Sequence, residues 1–264
     1  MSRQRDELKG RAPKTYALPV PAWRVENGQA AQSVEQVAVE VAVRVMLDGS
    51  PMAESSFTPC DIDDFAIGCL FSHHAIGGIA DIGRIRTVRG ENGLTIFAER
   101  SRGVKRASAD AQPAEAAKPV PAAAVAQASR MLIEHQIMHQ DTGATHAAAF
   151  FGADGTLRHV REDVGRHNAV DKLIGCMLAH NTDAADGFVH LSSRCALELV
   201  TKCARLGVRL VSTVSAPTTA VLRFADDEGI TLAAFARDGR FTVYTHPEGI
   251  SDIRLTGTTG TTGT

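Results

Sequence analysis

Hydrophobic and polar residues alternate near the start of the chain in a pattern that predicts β-strands. The run VAVEVAVRVML, residues 37–47, places valine at every second position over most of its length, which is the period of a half-buried strand. A polar turn, DGSP, and a second run that ends at Phe57 predict an antiparallel partner. IGRIRTVR and LTIFAER predict a second hairpin, because the Asn92-Gly93 pair between them favours a tight two-residue turn.

A helix is predicted between these two hairpins. Thr58 supplies a capping hydroxyl, Pro59 suits the first turn, and the acids that follow complement the helix dipole. These acids are Asp61, Asp63 and Asp64. The helix is expected to end near Phe71.

Strands and helices alternate regularly in the second half of the chain. A helix from about Ala123 to His139 precedes the strand LRHVRE, which leads into a helix with apolar residues at helical spacing. These apolar residues are Val170, Leu173, Ile174, Met177 and Leu178. The strands GFVHLS and VRLVSTVS each lead into a helix that ends near a glycine, and ITLAAFA and FTVYTH flank a turn at Asp238-Gly239. The alternation predicts an α/β fold, with a mixed sheet that has parallel pairs and crossover helices.

Composition divides the chain into five predicted regions. Both ends are rich in polar or small residues that bury little, and residues 101–125 combine alanine and proline with few side chains to pack. The predicted regions are a flexible N-terminus (1–34), a β-rich N-terminal subdomain (35–100), a mobile loop or linker (101–125), an α/β domain (126–250) and a flexible tail (251–264).

Charge and cysteine content exclude several classes of protein. The formal net charge is -2, so neither a nucleic-acid-binding protein nor a cationic membrane-binding surface is expected. No apolar run approaches the roughly 20 residues that cross a bilayer, and the charged start lacks the apolar core of an export signal. The five cysteines include no close pair of the kind that binds zinc, and their odd number does not suggest a disulfide framework. A protein of the reducing cytoplasm is therefore expected.

The stretch REDVGRHN, residues 161–168, concentrates charge where a predicted strand meets a helix. In a sheet with parallel strands, the loops leaving the carboxyl edge share one crevice with the amino ends of the helices. Arg166 and His167 lie in this loop and Arg194 lies in the next, so these side chains predict a phosphate-binding site. Helix capping and surface salt bridges explain the same residues, and both interpretations stay open.

The turn ARDGR, residues 236–240, is a second candidate for anion binding. Gly239 lets the backbone approach a ligand closely, and Arg237 and Arg240 would clamp an anion between them. The alternative is a solvated hairpin tip, which Asp-Gly pairs commonly form.

No metal site is expected from the sequence. His135 and His139 are four residues apart on a predicted helix, but no acid or cysteine accompanies them at a metal-binding spacing. Cys195 and Cys203 are expected to pack as small apolar groups.

Several segments together resemble one protein family. EDVGRHNAVDKLIG, preceded by TGATHAAAF and followed by SAPTTA, FARDGR and YTHP, is similar to the formate dehydrogenase accessory sulfurtransferases over roughly residues 37–250. The resemblance implies a cytidine-deaminase-like α/β domain, a smaller β-rich N-terminal part and a homodimer. It implies that the protein takes sulfur from a cysteine desulfurase and delivers it to the bis(molybdopterin guanine dinucleotide) molybdenum cofactor before that cofactor enters formate dehydrogenase. It also implies that the cofactor binds to the segment Phe235, Ala236, Arg237, Asp238, Gly239 and Arg240.

The chain departs from this family at the residues that carry sulfur. The family bears a Cys-x-x-Cys motif in a loop that corresponds to residues 101–125, and this region has no cysteine here. A persulfide needs an accessible thiolate, and Cys60 is the remaining candidate because the dipole of the predicted helix beside it favours a thiolate. The catalytic residue is therefore unassigned.

Two other functions are compatible with parts of this pattern. The first is a cofactor-binding or escort protein that transfers no sulfur. The second, suggested by the fold, is a zinc deaminase, but the chain has no His-x-Glu followed by Pro-Cys-x-x-Cys to hold the metal and its water.

Overall fold

The computed structural model describes residues 16–91, 93–102 and 118–254, and its first element is a hairpin. Its strands, β1 (Ala17–Glu26) and β2 (Gln29–Ala38), pair antiparallel along their whole length. Asn27 and Gly28 between them both have positive φ, at 50° and 79°, as a tight two-residue turn requires. The prediction of a flexible N-terminus is therefore wrong for residues 17–34, whereas residues 1–15 lie outside the described ranges.

A four-stranded sheet follows, with strand order β4-β3-β6-β5. Its strands are β3 (Val41–Leu47), β4 (Ser50–Phe57), β5 (Ile82–Gly90) and β6 (Gly93–Arg100). β3 pairs antiparallel with β4 and β5 pairs antiparallel with β6, which confirms both predicted hairpins, although Asn92 itself is not described. In β3 every second residue from Val43 to Leu47 is buried, as the alternation predicts.

The first helix, α1 (Ile62–Ser72), begins later than its predicted cap. Asp61 is the N-cap, in a left-handed conformation with φ at 48°, and no side chain caps the helix. Thr58 is fully buried instead, and its amide donates to Oδ2 of Asp163 at 3.0 Å. The prediction of Thr58 as cap is wrong because a buried carboxylate from the second half of the chain binds this residue.

The helix predicted over residues 123–139 is divided in two. After the short strand β7 (Val120–Pro121), α2 (Ala122–His135) and α3 (Ile137–Thr142) are separated by Gln136, whose ψ of 72° is not helical. Residues 103–117, most of the predicted linker, lie outside the described ranges, whereas residues 120–125 belong to β7 and α2.

The larger sheet has six strands in the order β13-β12-β11-β10-β8-β9. They are β8 (His146–Gly152), β9 (Leu157–Asp163), β10 (Gly187–Leu191), β11 (Leu210–Thr213), β12 (Thr231–Arg237) and β13 (Arg240–Thr245). The connecting helices are α4 (Arg166–Ala179), α5 (Leu197–Leu206) and α6 (Thr219–Asp227), and a last strand, β14 (Ile250–Ser251), pairs with β7. β10, β11 and β12 are parallel, and β8 runs against both β10 and β9. The predicted mixed α/β fold is confirmed. The carboxyl ends of β9, β10, β11 and β12, but not that of β8, lie at one edge of the sheet.

The central helix α4 is buried on more than one face. Four of the five predicted apolar positions are at most 1% exposed, and Leu178 is partly buried against the same core. All residues from 168 to 177 are buried, because α1 packs on this helix as well as the sheet. A side chain at Gly68 of α1 would collide with the backbone of Asp171, and one at Gly175 of α4 would collide with the backbone of Asp64. The two helices therefore touch backbone to backbone at two points.

Candidate functional site

Asp163, in the charged stretch of residues 161–168, forms a fully buried ion pair with Lys172 of α4. Lys172 Nζ lies 2.6 Å from Oδ2 of Asp163, and both side chains have no exposed surface. The Asp163 carboxylate also accepts from the amides of Thr58 and Gly165 and from Nδ2 of Asn168, at 3.0, 2.8 and 3.0 Å. Lys172 donates in addition to two backbone carbonyl oxygens. Charge buried with this many partners is structural.

Glu162 holds the start of the short helix α3. Its Oε1 accepts from the amide of Met138 at 2.9 Å, and its Oε2 accepts from the amide of His139 and the hydroxyl of Thr145, both at 2.9 Å. Burial raises the pKa of Glu162, whereas these donors favour the carboxylate. The capping interpretation is therefore correct for this residue.

Arg161 and Asn168 bind the N-terminal sheet and its helix to the main domain. Arg161 donates from Nε to Oδ2 of Asp64 at 2.7 Å, and Asn168 donates from Nδ2 to the carbonyl of Ser56 at 2.7 Å. Much of the charge in REDVGRHN thus serves packing between the two parts of the protein.

Three helices begin at the sheet edge where β9, β10 and β11 end. Their N-caps are Gly165, Ala196 and Thr218, and none of the three helices receives a capping hydrogen bond from its N-cap side chain. The loops at this edge are joined, because Thr213 Oγ1 donates to the carbonyl of Ser193 at 2.6 Å and the amide of Phe235 donates to the carbonyl of Ser215 at 3.2 Å. Uncapped helix starts present amides and a positive dipole to an anion.

Arg166 and Arg194 both act on His146, the first residue of β8. Burial lowers the pKa of His146, and the nearby basic side chains of Arg166, His139 and Arg194 lower it further. Within the described ranges neither arginine forms a salt bridge, and the Nε of Arg166 is buried without a hydrogen-bond partner. These two predicted site residues therefore both lie near His146 at the sheet edge.

His167 lies in a different environment from Arg166. Its Nδ1 is 3.3 Å from Oε2 of Glu198, and the ring lines a cavity of about 410 Å³ together with Asn168, Asp171 and Lys202. Neither Arg166 nor Arg194 lines this cavity. The sequence predicted one site for His167 and the two arginines. Only the two arginines lie near His146 at the sheet edge, whereas His167 faces the cavity.

The segment from Phe235 to Arg240 forms the β12–β13 turn at the same edge. Phe235 has φ at 52° and is 38% exposed, whereas Ala236 is fully buried. Asp238 and Gly239 both have positive φ. Arg237 and Arg240 are exposed and lie opposite each other in the β12–β13 backbone register. A non-glycine residue with positive φ is costly, so the aromatic ring of Phe235 is presented to solvent at a backbone cost.

Cys60 does not have the environment that the sequence predicts. Burial raises its pKa to about 11, with Asp61 adding to the rise, although Lys172 Nζ lies 3.6 Å from its sulfur and opposes it. The cysteine also precedes the true N-cap, Asp61, so it does not lie in the first turn of α1. The expected thiolate is therefore contradicted by desolvation.

The remaining cysteines are buried. Cys195 and Cys203 are both 1% exposed, and burial raises the pKa of each to about 12, which confirms the prediction that they pack as apolar groups. Burial raises the pKa of Cys69 to about 12 as well. Cys176 is also buried, but its sulfur accepts a hydrogen bond from Nη2 of Arg161 at 2.9 Å.

The histidines weighed as metal ligands bond to the backbone. Nδ1 of His135 lies 2.8 Å from the carbonyl of Met131, and Nδ1 of His139 lies 2.9 Å from that of Thr145.

Among the described residues, no helix has the length and apolar character that crossing a bilayer demands.

Comparison with known proteins identifies the family. A sequence profile of the FdhD/NarQ family matches residues 38–251. The sulfur carrier protein FdhD of Bordetella petrii is 34% identical over 271 residues, with 92% of this chain and 98% of the relative covered. The sulfur carrier protein FdhD of Chromobacterium violaceum is 36% identical over 251 residues, covering 83% of this chain and 92% of the relative. A solved structure from Desulfotalea psychrophila, assigned as a formate dehydrogenase accessory protein, has a TM-score of 0.77 at 26% identity and covers 89% of this chain and 99% of its own. Matches that span nearly the whole length in both directions mean that the chain belongs to the FdhD/NarQ family.

Proposed function

We propose that this protein is a formate dehydrogenase accessory protein that binds the bis(molybdopterin guanine dinucleotide) molybdenum cofactor for sulfur delivery. The observation that carries this assignment is the sheet edge at which three helices begin without a capping hydrogen bond from the side chains of their N-cap residues, beside Arg166 and Arg194. Free amides and unpaired guanidinium groups are the donors that bind phosphate. Its relatives named sulfur carrier protein FdhD support the same role.

The length of the edge fits a ligand with two separated anionic ends. β12, which leads to Arg237, lies four strand positions from β9, which leads to Arg166. Neighbouring strands are about 4.8 Å apart, so the two strands that lead to these arginines lie about 19 Å apart. A cofactor with a guanine nucleotide at each end would place an anionic group near each of these arginines.

The described cysteines favour a second candidate function, in which the protein holds or escorts the cofactor without bearing persulfide itself. All five cysteines of the chain lie in the described ranges, and four of them are buried. Burial raises the pKa of Cys60, the remaining one, to about 11. A persulfide bearer must be both exposed and ionised, and no cysteine here is both.

The family resemblance extends to the assembly and its setting. We infer a cytidine-deaminase-like sheet, a homodimer, a cysteine desulfurase as sulfur donor and a cytoplasmic location. The parallel strands β10, β11 and β12 with crossover helices support the first of these inferences.

Replacing both Arg166 and Arg194 by alanine should weaken the binding of GDP, a mimic of the cofactor's nucleotide ends. A hydrogen bond to a charged group contributes about 1.5–3 kcal/mol, so each arginine should account for about a tenfold or larger change in dissociation constant. Isothermal titration calorimetry on the full chain measures this change. The matched control is Arg130→Ala, which removes an exposed arginine of α2 that pairs with Glu134.

The same titration separates the two ends of the proposed site. Arg237→Ala with Arg240→Ala should weaken GDP binding independently of the first pair, because the two turns lie at opposite ends of the edge. Unchanged GDP affinity in both double variants would remove the edge as the cofactor site.

If the protein escorts the cofactor without bearing persulfide itself, incubation with a cysteine desulfurase and cysteine should leave the five cysteines of the folded chain without persulfide. Burial and raised thiol pKa values deprive the sulfurs of an accessible thiolate, and persulfide labelling followed by mass spectrometry detects any transfer. The Bordetella petrii relative serves as a positive control. Label on Cys60 that disappears in Cys60→Ser would instead assign sulfur transfer to this chain.

A further inference from the structure

A second chemical group lies away from the sheet edge, where the end of α4 meets β9. It consists of His159 on β9 and of Cys176 and His180, which are four residues apart at the end of α4. Nδ1 of His159 lies 3.4 Å and Nδ1 of His180 lies 3.6 Å from the sulfur of Cys176. We propose that His159, Cys176 and His180 form a binding site for a divalent cation of the zinc class, with one coordination position left open.

The two sulfur–nitrogen distances fit this class of ion. Zinc bonds are about 2.3 Å to thiolate sulfur and about 2.0–2.1 Å to imidazole nitrogen, so tetrahedral ligands place sulfur and nitrogen about 3.5 Å apart. Both sulfur–nitrogen distances lie within about 0.1 Å of this value. The three ligand atoms all lie within 4.8 Å of one another, and the two rings would move closer together to complete the geometry.

His159 has the partner that a ligating imidazole needs. Its Nε2 lies 2.8 Å from Oγ1 of Thr182, which would accept the proton on Nε2 and leave the Nδ1 lone pair for the ion. Such a partner fixes the tautomer and the ring orientation in metal sites.

His180 must give up one hydrogen bond to bind the ion. Its Nδ1 lies 2.8 Å from the carbonyl oxygen of Cys176, and coordination would replace that contact. The same carbonyl also accepts from the backbone amide of His180 at 3.1 Å, so it keeps a partner. Coordination therefore costs one side-chain hydrogen bond and requires the tautomer of His180 that carries its proton on Nε2.

The charges around Cys176 favour a bound dication. Arg161 donates to the sulfur at 2.9 Å and is itself paired with Asp64 and near Asp61, at 3.8 Å from the latter. With Cys176 as thiolate, the three anions Cys176, Asp61 and Asp64 outnumber the two cations Arg161 and Arg158, and this surplus of negative charge favours a bound dication. Binding releases the thiol proton to solvent, and N–H donation from Arg161 stabilises the thiolate.

The site is separate from the proposed cofactor edge and open to the surrounding solution. The 14 residues of α4 span about 20 Å, and the cluster lies at the end of the helix opposite to Arg166. Cys176 is buried, His159 is half-buried and His180 is exposed, so an ion can enter from the side of His180. The sequence-based expectation of no metal site is revised here, because the ligands come from two elements that the fold brings together.

Cobalt and zinc titrations of the metal-free full chain test this site. One equivalent of Co²⁺ should produce a thiolate-to-cobalt charge-transfer band, and Zn²⁺ should displace it. Cys176→Ser should abolish the band, and His180→Ala should weaken binding by more than the 10–100-fold typical of an outer-shell loss. Thr182→Val should weaken it within about that 10–100-fold range.

Two controls keep the result decisive. Cys203→Ser removes another buried cysteine and should leave the band unchanged. His180 is exposed, so its alanine variant should fold even where Cys176→Ser does not. Absence of a saturable one-equivalent signal, or equal affinity in wild type and His180→Ala, would refute the site, and either result leaves GDP binding at the distant edge unaffected.

Discussion

The Lys172→Met variant is expected to lose about 3–5 kcal/mol of unfolding free energy. Lys172 and Asp163 are both fully buried, so removing the ammonium leaves a carboxylate without its cation in the protein interior. Methionine fills similar space, and the loss therefore reports charge rather than a cavity. Urea denaturation followed by circular dichroism measures the change from the midpoint and slope.

Two further variants show whether the buried charge causes this loss. Lys118→Met removes an exposed lysine and should change the free energy of unfolding by no more than about 0.5 kcal/mol. Adding Asp163→Asn to Lys172→Met should restore part of the stability, because no uncompensated charge then remains. A Lys172→Met midpoint equal to that of Lys118→Met would contradict the structural role of the pair.

The second large effect is expected at the contact between α1 and α4. Gly175→Ala should destabilise the protein by at least about 1–3 kcal/mol, the usual cost of overpacking, because the new methyl group collides with the backbone of Asp64. The greater helix propensity of alanine favours the variant by about 0.5–1 kcal/mol, so the sign of the change reports the contact. Thermal unfolding of the two proteins measures the difference.

Gly78→Ala is the matched control for this substitution. A Cβ atom there meets nothing within 4 Å, and the backbone is extended with φ at 178°. Gly68→Ala should resemble Gly175→Ala, since its methyl group meets the backbone of Asp171. A Gly175→Ala protein as stable as Gly78→Ala would mean that the helices lie further apart than described.

Periodicity in the sequence predicted the elements but not which charges they bury. The stripe on α4 and both hairpins of the four-stranded sheet follow from local spacing, which the fold preserves. Asp163 and Lys172 are nine residues apart and carry no local sign of burial. Their environment is created by Thr58 and α1, which come from the other half of the chain.

The hairpin of β1 and β2 was missed although its turn signal was present. Asn27-Gly28 is the same dipeptide type as Asn92-Gly93, but Pro19, Pro21 and the polar residues around it indicated an extended tail. The prolines are tolerated because, among the residues that the structure describes, β1 pairs with β2 alone and its other edge carries no ladder. This hairpin buries little of its surface, with Trp23 66% exposed, so its strands lack the alternating hydrophobic pattern that marks most strands.

The residues of the two candidate sites could be predicted from the sequence to different extents. Arg166 and Arg194 were found because both follow parallel strands, a placement that topology alone provides. His159 lies on a strand and contributes to the proposed metal site only through the packing of that strand against α4. The spacing of Cys176 and His180, four residues on one helix, was the available signal, and it needed a third ligand to be meaningful.

The reciprocal contact at Gly68 and Gly175 limits how this protein can be divided. Each glycine meets the backbone of the opposite helix, so the N-terminal sheet with α1 and the α/β part with α4 are fitted to each other's main chain. A chimera that joins residues 16–100 to the corresponding α/β part of a relative would need glycine at the position of Gly175 to bring the helices together. The two parts are therefore expected to behave as one structural unit rather than as exchangeable modules.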